Sequence, residues 1–160
     1  MKLMIRNFLI LTLSGMAAPF SCMNHCADLQ QAADLIDADN SSCKDIIIDA
    51  AQYDEATTDE YVINEAYLTN DSLMLIVQYG GGCGTTSFEL LTNGYFMESF
   101  PVQLDVLLSF KDDDPCEALI QRQICYDLSR LATLYENSYQ TTEGTIILQI
   151  KGYDSLGYNF

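Results

Sequence analysis

The clearest secondary-structure signal in the sequence is the stretch VQLDVLLSF at residues 102–110. Its apolar residues recur at every second position, namely Val102, Leu104, Val106, Leu108 and Phe110. Successive side chains of a strand point to opposite faces, so this pattern predicts a strand with one face in an apolar core. Pro101 precedes this stretch and the polar loop KDDDP follows it, so both ends of the strand are marked.

Shorter runs with the same period of two lie on both sides of this strand. They are residues 61–68, 73–79, 86–90, 145–151 and 157–160. The first two flank Thr69-Asn70-Asp71, and the last two flank Asp154-Ser155, so each pair predicts a hairpin. Asn93-Gly94 is the strongest short-range signal for a type I′ turn and predicts a further strand that ends at Pro101.

Residues 118–128 fit two interpretations. Ile120, Ile124, Leu128 and Leu131 have helical spacing, whereas Ala118, Ile120, Ile124, Tyr126 and Leu128 fit one face of a strand. We favour the strand because the neighbouring segments are strands. About seven short strands separated by turn residues predict an all-β fold, an antiparallel β-sandwich of the immunoglobulin-like type.

The N-terminal segment has the features of an export signal. Lys2 and Arg6 precede an apolar run of about 13 residues, from Phe8 to Phe20. This run suits a signal peptide and is shorter than the ~20 residues that a membrane-spanning helix needs. We therefore predict a signal peptide at residues 1–21.

Ser21-Cys22 follows the apolar run directly and resembles the lipobox of bacterial lipoproteins. The resemblance implies that Cys22 carries lipid and anchors the chain to a membrane of the bacterial envelope, on the periplasmic face or the cell surface. The alternative is ordinary signal cleavage with Cys22 free or disulfide-bonded. Residues 22–58 are then an acidic tether with a short helix near residues 27–36, and residues 59–160 form the sandwich.

Charge excludes one large class of function. After residue 21 the chain has 5 basic and 23 acidic residues, so it lacks the basic surface that a nucleic-acid binder needs. Hydrophobic residues make up 49% of the chain, which is too many for a disordered protein. The acidic residues predict a surface for an envelope protein or glycan partner, or simply a solvated face.

The six cysteines predict disulfide bonds in an exported chain. Lipid on Cys22 leaves five, so one thiol stays free. Cys83 and Cys116 have loop sequences around them and form one predicted pair. Cys26 and Cys43 bracket a short acidic segment and form the second, and Cys125 has the apolar neighbours of a buried free thiol.

The segments YGGGCG, DDDPCEA and CYDLSRL together resemble an uncharacterised family of Bacteroidota-type secreted or lipoprotein β-domains with a GGGCG…DDxC pattern. The resemblance covers roughly residues 60–160 and supports the Cys83–Cys116 pair. Relatives often have histidines near the positions of Thr85-Thr86 and Phe110 in this chain. This sequence has no histidine at either place, so no metal role of such histidines transfers to it.

Asp112, Asp113 and Asp114 are the candidate metal ligands, because carboxylate oxygens suit Ca²⁺. Asp105 and Glu117 could add oxygen atoms if the fold brought them near. The alternative is a solvated turn. Calcium is the only cofactor that the sequence suggests, and no catalytic residue is assigned, because the single histidine, His25, lies in the tether.

These observations predict a lipid-anchored envelope protein that binds a partner or has a structural role and is not an enzyme. One alternative is a small envelope hydrolase that uses paired carboxylates among the same acidic residues. The other is a structural module stabilised by calcium.

Overall fold

The computed structural model describes residues 43–160. Several predictions therefore lie outside the described residues: the signal peptide at residues 1–21, lipidation at Cys22, and the short helix near residues 27–36. Cys26 and His25 also lie there.

The described chain contains nine strands and two helices. In chain order they are β1 (Lys44–Asp45), β2 (Ile47–Ile48), α1 (Ala50–Glu55), β3 (Tyr61–Thr69), β4 (Ser72–Gly81), β5 (Thr86–Thr92), β6 (Val102–Asp112), β7 (Ala118–Asp127), α2 (Ser129–Tyr139), β8 (Thr145–Ile150) and β9 (Ser155–Asn159). One sheet has the order β1-β7-β4-β3, and the other has the order β2-β5-β6-β8-β9. Neither helix of residues 43–160 is long and apolar enough to cross a membrane.

The two sheets pack face to face, which confirms the predicted all-β sandwich. Seven of its strands have five residues or more, and the other two have two residues each. The pairing differs from a fully antiparallel arrangement, because β1 with β7, β2 with β5, and β6 with β8 are parallel. Parallel neighbours need a crossover connection, and the chain from β6 to β8 makes one through β7 and α2.

The sandwich begins earlier in the chain than residue 59. Lys44 and Asp45 pair with Tyr126 and Asp127, and Ile47 and Ile48 pair with the end of β5. Ile46, between these two short strands, is fully buried in the core. Residues 44–48 are therefore part of both sheets, which corrects the predicted tether over residues 22–58.

The core comes from the alternating positions that the sequence predicted. Leu104, Val106, Leu108 and Phe110 of β6 are each at most 1% exposed. They pack against the matching faces of the other strands. At one end of the core the rings of Phe88 and Phe110 stack at 4.3 Å, with Tyr61 and Tyr79 at their edges.

Residues 118–127 form a strand, as predicted, but helix α2 follows at once and was not predicted. Its Leu131 is fully buried, and Tyr135 and Tyr139 pack against the core. The helix ends at Gln140, whose left-handed conformation at φ 56° terminates it. The helical spacing of Leu128, Leu131 and Tyr135 was the available signal, and it lay just beyond the strand.

The predicted type I′ turn at Asn93-Gly94 does not form. This turn needs positive φ at both central residues, and only Gly94 has it, at 76°. The Asn93 side chain instead accepts a hydrogen bond from the Tyr95 amide at 2.9 Å. Residues 93–101 are a loop that joins β5 to β6, and Met97 makes an isolated bridge to Gln103.

Candidate functional site

The predicted aspartate cluster lies where β6 ends and the chain turns towards β7. The end of β4 and the glycine-rich loop after it approach the same place. The disulfide Cys83–Cys116, with Cα atoms 5.9 Å apart, joins this loop to the aspartate turn. The disulfide thus joins two segments that are 33 residues apart in sequence at one end of the sandwich.

Asp114 points into the glycine-rich loop. One of its carboxylate oxygens accepts hydrogen bonds from the amides of Gly82 at 2.6 Å and Cys83 at 2.9 Å. The other accepts from the Cys116 amide at 2.9 Å and lies 3.3 Å from Cys83 Sγ. Backbone hydrogen bonds, with that of Cys116 the strongest and that of Gly84 next, lower the pKa of Asp114 to about 2.

Glycine is required at two positions of this loop. A Cβ on Gly84 would lie 2.6 Å from the Asp114 Cα and 2.9 Å from the Asp113 carbonyl oxygen. Gly82 has a φ of 120°, which residues with a side chain rarely adopt. The loop can therefore wrap around the Asp114 carboxylate only because it lacks side chains there.

The other two aspartates face different partners. An oxygen of Asp112 accepts from the Asp114 amide at 2.8 Å, and the Asp113 amide donates to the Thr85 carbonyl at 3.1 Å. Asp105 lies seven residues before Asp112 on β6, a separation of roughly 23 Å along an extended strand. The predicted ligands are therefore not assembled around one point.

Within residues 43–160, one group of three potential metal ligands comes within 4.8 Å: Cys83, Asp114 and Cys116. Both cysteines are in the disulfide and have no thiolate to offer. The calcium site at Asp112, Asp113 and Asp114 stays a prediction, and the structure shows that the Asp114 carboxylate accepts hydrogen bonds from backbone amides.

The second disulfide corrects the predicted pairing. Cys43 is bonded to Cys125, with Cα atoms 4.6 Å apart and a sequence separation of 82. The predicted Cys26–Cys43 pair is therefore wrong, and so is the free thiol at Cys125. The physical reason is the parallel register of β1 and β7: Lys44 lies beside Tyr126, so the preceding residue, Cys43, lies beside Cys125.

We expect Asp114→Asn to destabilise the loop, because an Asn side chain must turn an NH₂ group towards amides that need an acceptor. The folded-state pKa is about 2 against an ordinary 3.8, so the ionised carboxylate stabilises the fold above about pH 4. This stabilisation is lost as the pH falls through 2. The stability gap between wild type and variant should thus be widest above pH 4 and shrink towards pH 2.

Urea unfolding at several pH values between 2 and 7 measures this gap. Asp113→Asn is the matched control, since the described hydrogen bonds of Asp113 involve its backbone amide. A gap that does not change with pH would contradict the assignment of the low pKa to Asp114.

A separate groove of about 390 Å³ lies between helix α1 and the outer face of β5 and β6. Its lining is mostly polar: Gln52, Glu55, Ala56, Thr57, Glu89, Leu91, Ser109 and Lys111. The Ser109 hydroxyl donates to the Thr57 carbonyl at 3.0 Å and so is already satisfied. This groove was not predicted, because helix α1, which forms one of its sides, was not predicted. It brings Glu55, Glu89 and Lys111 around one opening but presents no nucleophile beside a base.

Comparison with known proteins identifies the fold through solved structures. The fold resembles that of a NigD-like immunity protein. That protein, from Bacteroides caccae, has 12% sequence identity and a TM-score of 0.52 over 72% of this chain. The matched region spans 57% of the length of the Bacteroides caccae chain.

Two further structures are similar at a lower level. A protein of unknown function, DUF1344, from Bacteroides vulgatus has 13% identity and a TM-score of 0.45 over 74% of this chain and 55% of its own. A candidate lipoprotein from Bacteroides fragilis has 14% identity and a TM-score of 0.46 over 74% and 67%. No family model matches the chain, and no curated protein matches it in sequence.

Proposed function

We propose that this chain is a lipid-anchored protein of the bacterial cell envelope that works by binding a partner through an acidic surface. Lipid at Cys22 would hold it on the membrane, and the sandwich of residues 43–160 would present the binding surface. The observation that carries the proposal is the pair of disulfides in the sandwich, downstream of a signal-like segment and Ser21-Cys22.

The disulfides support an oxidising compartment, because cytosolic proteins keep their thiols reduced. Both bonds connect segments far apart in sequence, 82 and 33 residues, so they brace the whole domain. A covalently braced sandwich on a tether suits the bacterial envelope. The signal-like segment would direct export of the chain, and the cysteine after it would carry the lipid that anchors the chain to the membrane.

A binding role fits the acidic groups better than hydrolysis does. A carboxyl that acts as general acid needs a raised pKa, as in the hydrolase alternative. Asp114, one of the carboxyls considered for that role, has its pKa lowered to about 2 and its oxygens committed to backbone amides. It therefore serves as a structural element of the loop.

The acidic surface indicates the charge of the partner. Residues 43–160 contain 19 acidic and 5 basic residues, so they favour a cationic partner and repel anionic ones. The similar Bacteroides caccae structure is named an immunity protein, and we extend from it only a binding role.

Lipid labelling tests the anchor. We expect the full chain, expressed in bacteria with an alkyne analogue of palmitate, to take up the label and sediment with membranes. Cys22→Ala should lose both the label and the sedimentation, because it removes the thiol that accepts the lipid. Cys26→Ala, a cysteine four residues later, is the matched control and should keep both. Equal labelling of Cys22→Ala and wild type, or no label in wild type, would overturn the proposed anchor.

A further inference from the structure

The loop of residues 93–101, which joins β5 to β6, exposes an unusual amount of apolar surface. Phe100 is 103% exposed, Tyr95 is 69% exposed and Met97 is 40% exposed. Three of the six large exposed hydrophobic side chains of residues 43–160 thus fall within six positions. Clustered apolar exposure of this kind marks interaction sites, whereas isolated exposed residues do not.

Hydrogen bonds hold the loop in one conformation. The backbones of Met97 and Gln103 exchange two hydrogen bonds, at 2.9 and 3.3 Å. The Ser99 hydroxyl donates to the Pro101 carbonyl at 2.6 Å and accepts from the Gln103 side chain at 3.1 Å. Gln149 of β8 donates to the same Gln103 side chain at 2.8 Å. The exposed rings are therefore presented by an ordered backbone, not by a loose one.

The inner side of the loop packs on helix α2. The ring of Phe96 lies 5.9 Å from that of Tyr135 and 5.6 Å from that of Tyr139. The Tyr139 hydroxyl donates to a carboxylate oxygen of Glu98 at 3.3 Å. Phe96 thus anchors the loop, while its neighbours Tyr95 and Met97 point away from the core and stay exposed.

Within the loop, Glu98 is the only charged side chain. Glu98 lies within the loop, and Glu136 and Glu143 lie in α2 and in the turn after it. All three are exposed. Residues 89–110 and 131–150, which include the loop, most of α2 and β8, contain no Lys or Arg. The apolar patch therefore contains the exposed carboxylate of Glu98, and these flanking segments add acidic residues and no cation.

We propose that loop 93–101 is the docking site for a partner protein that offers an apolar pocket with a rim of Lys or Arg side chains. This inference rests on the proposed binding function and locates the binding surface at this loop. Phe100 and Tyr95 would enter the pocket, and Glu98 would pair with its rim. Aromatic anchors inside a polar rim are typical of binding hot spots, and an ordered loop loses little entropy on docking.

Charge argues against two other occupants. A lipid surface would have to accept the exposed carboxylate of Glu98 between Met97 and Phe100, and anionic headgroups would repel it. A second copy of this chain would bring the same carboxylates together and be repelled as well. A protein surface with an apolar pocket and Lys or Arg side chains around it can both bury the exposed rings and pair with the carboxylates.

Site-specific photo-crosslinking in the cells that naturally make the chain tests the proposal. The full chain would carry a benzophenone amino acid at Phe100 or at Tyr95. The matched controls carry it at Val62, 57% exposed on β3, and at Leu119, 74% exposed on β7. We expect an adduct with one polypeptide from the loop positions only, and a crosslinked peptide in which apolar residues adjoin Lys or Arg.

A charge reversal gives the second readout. With the crosslinker at Phe100, Glu98→Lys should reduce the adduct yield about tenfold, because like charges would then meet at the rim. Equal adducts at Val62 and Leu119, adducts with phospholipid, glycan or a second copy, no adduct, or an unchanged yield in Glu98→Lys would each overturn the docking site. Urea unfolding of Glu98→Lys confirms that the fold is intact.

The two proposals fail separately. In the same cells, the chain is also labelled with the palmitate analogue, so the lipid label and the crosslink are measured on one sample. A loop-specific adduct on an unlabelled chain would overturn the anchor and support the docking site. A labelled chain without a loop-specific adduct would do the reverse.

Discussion

Replacing Cys43 and Cys125 together with Ala should lower the free energy of unfolding by about 4 kcal/mol. The bond closes a loop of 82 residues in the unfolded chain, and loops of this length give about 4.5 kcal/mol in the chain-entropy model. It also fixes β1, a strand of only two residues, to the edge of its sheet. Without the bond, the short pairings of β1 and β2 and the buried Ile46 must hold this end of the chain.

Urea unfolding of the oxidised proteins measures the loss, with Cys22→Ala and Cys26→Ala as the common background so that no cysteine outside the two bonds can exchange. The Cys83→Ala and Cys116→Ala double variant is the comparison. Its loop of 33 residues gives about 3.7 kcal/mol in the same model. Peptide mapping of the unreduced wild-type protein gives the pairing directly, and a Cys26–Cys43 peptide would contradict the structure.

Phe110→Ala should lower the free energy of unfolding by about 4 kcal/mol, the middle of the range for replacing a buried aromatic residue with Ala. The Phe110 side chain is 1% exposed and lies against the rings of Phe88, Tyr79 and Tyr61. Truncation leaves a cavity that stiff rings cannot close, and it also removes the ring contacts, worth about 0.5–1.5 kcal/mol per pair.

Phe100→Ala is the matched control, because it removes the same atoms from a ring that is 103% exposed. We expect its free energy of unfolding to lie within about 0.5 kcal/mol of wild type. Chemical denaturation of both variants checks the pair. A loss at Phe100 as large as that at Phe110 would mean that the loop packs against the domain and does not present this ring to a partner.

The long strands could be predicted because their two faces differ. Successive side chains of β4 and β6 point alternately to the core and to the outer face, and the core-facing positions hold apolar residues. Residues 118–127 could be assigned only from their neighbouring strands, because their own spacing also fitted a helix. The parallel pairing of β6 with β8 could not, because the alternation of a strand is the same whichever way its neighbour runs.

The short elements could not be predicted from their own residues. β1 and β2 have two residues each, too few for any period, and they form because Ile46 between them is buried and the sheets supply partners. The Cys43–Cys125 bond follows from that pairing. The apolar neighbours of Cys125 predicted a buried free thiol, but such neighbours fit a disulfide-bonded cysteine in a strand equally well.

The candidate sites depended on where side chains point, which spacing alone does not reveal. Three consecutive aspartates predicted an ion, yet the turn directs Asp114 to the amides of Gly82 and Cys83. The loop at residues 93–101 was predicted as a turn and a strand. Of the three aromatic rings in this loop, only Phe96 packs on α2, and α2 was not predicted, so the exposure of Tyr95 and Phe100 could not be predicted either.

The bond between Cys43 and Cys125 also determines how the domain would carry mechanical load. A pull on the chain before Cys43 passes through the sulfur atoms into β7, which lies between β1 and β4 in its sheet. β7 is held to β4 at ten paired positions, from Ser72 with Asp127 to Gly81 with Ala118, whereas β1 has two pairs with β7. Hydrogen bonds loaded together along a strand resist far more than bonds opened one after another. A chain tethered at its N-terminus is thus protected from peeling at the edge by one covalent link.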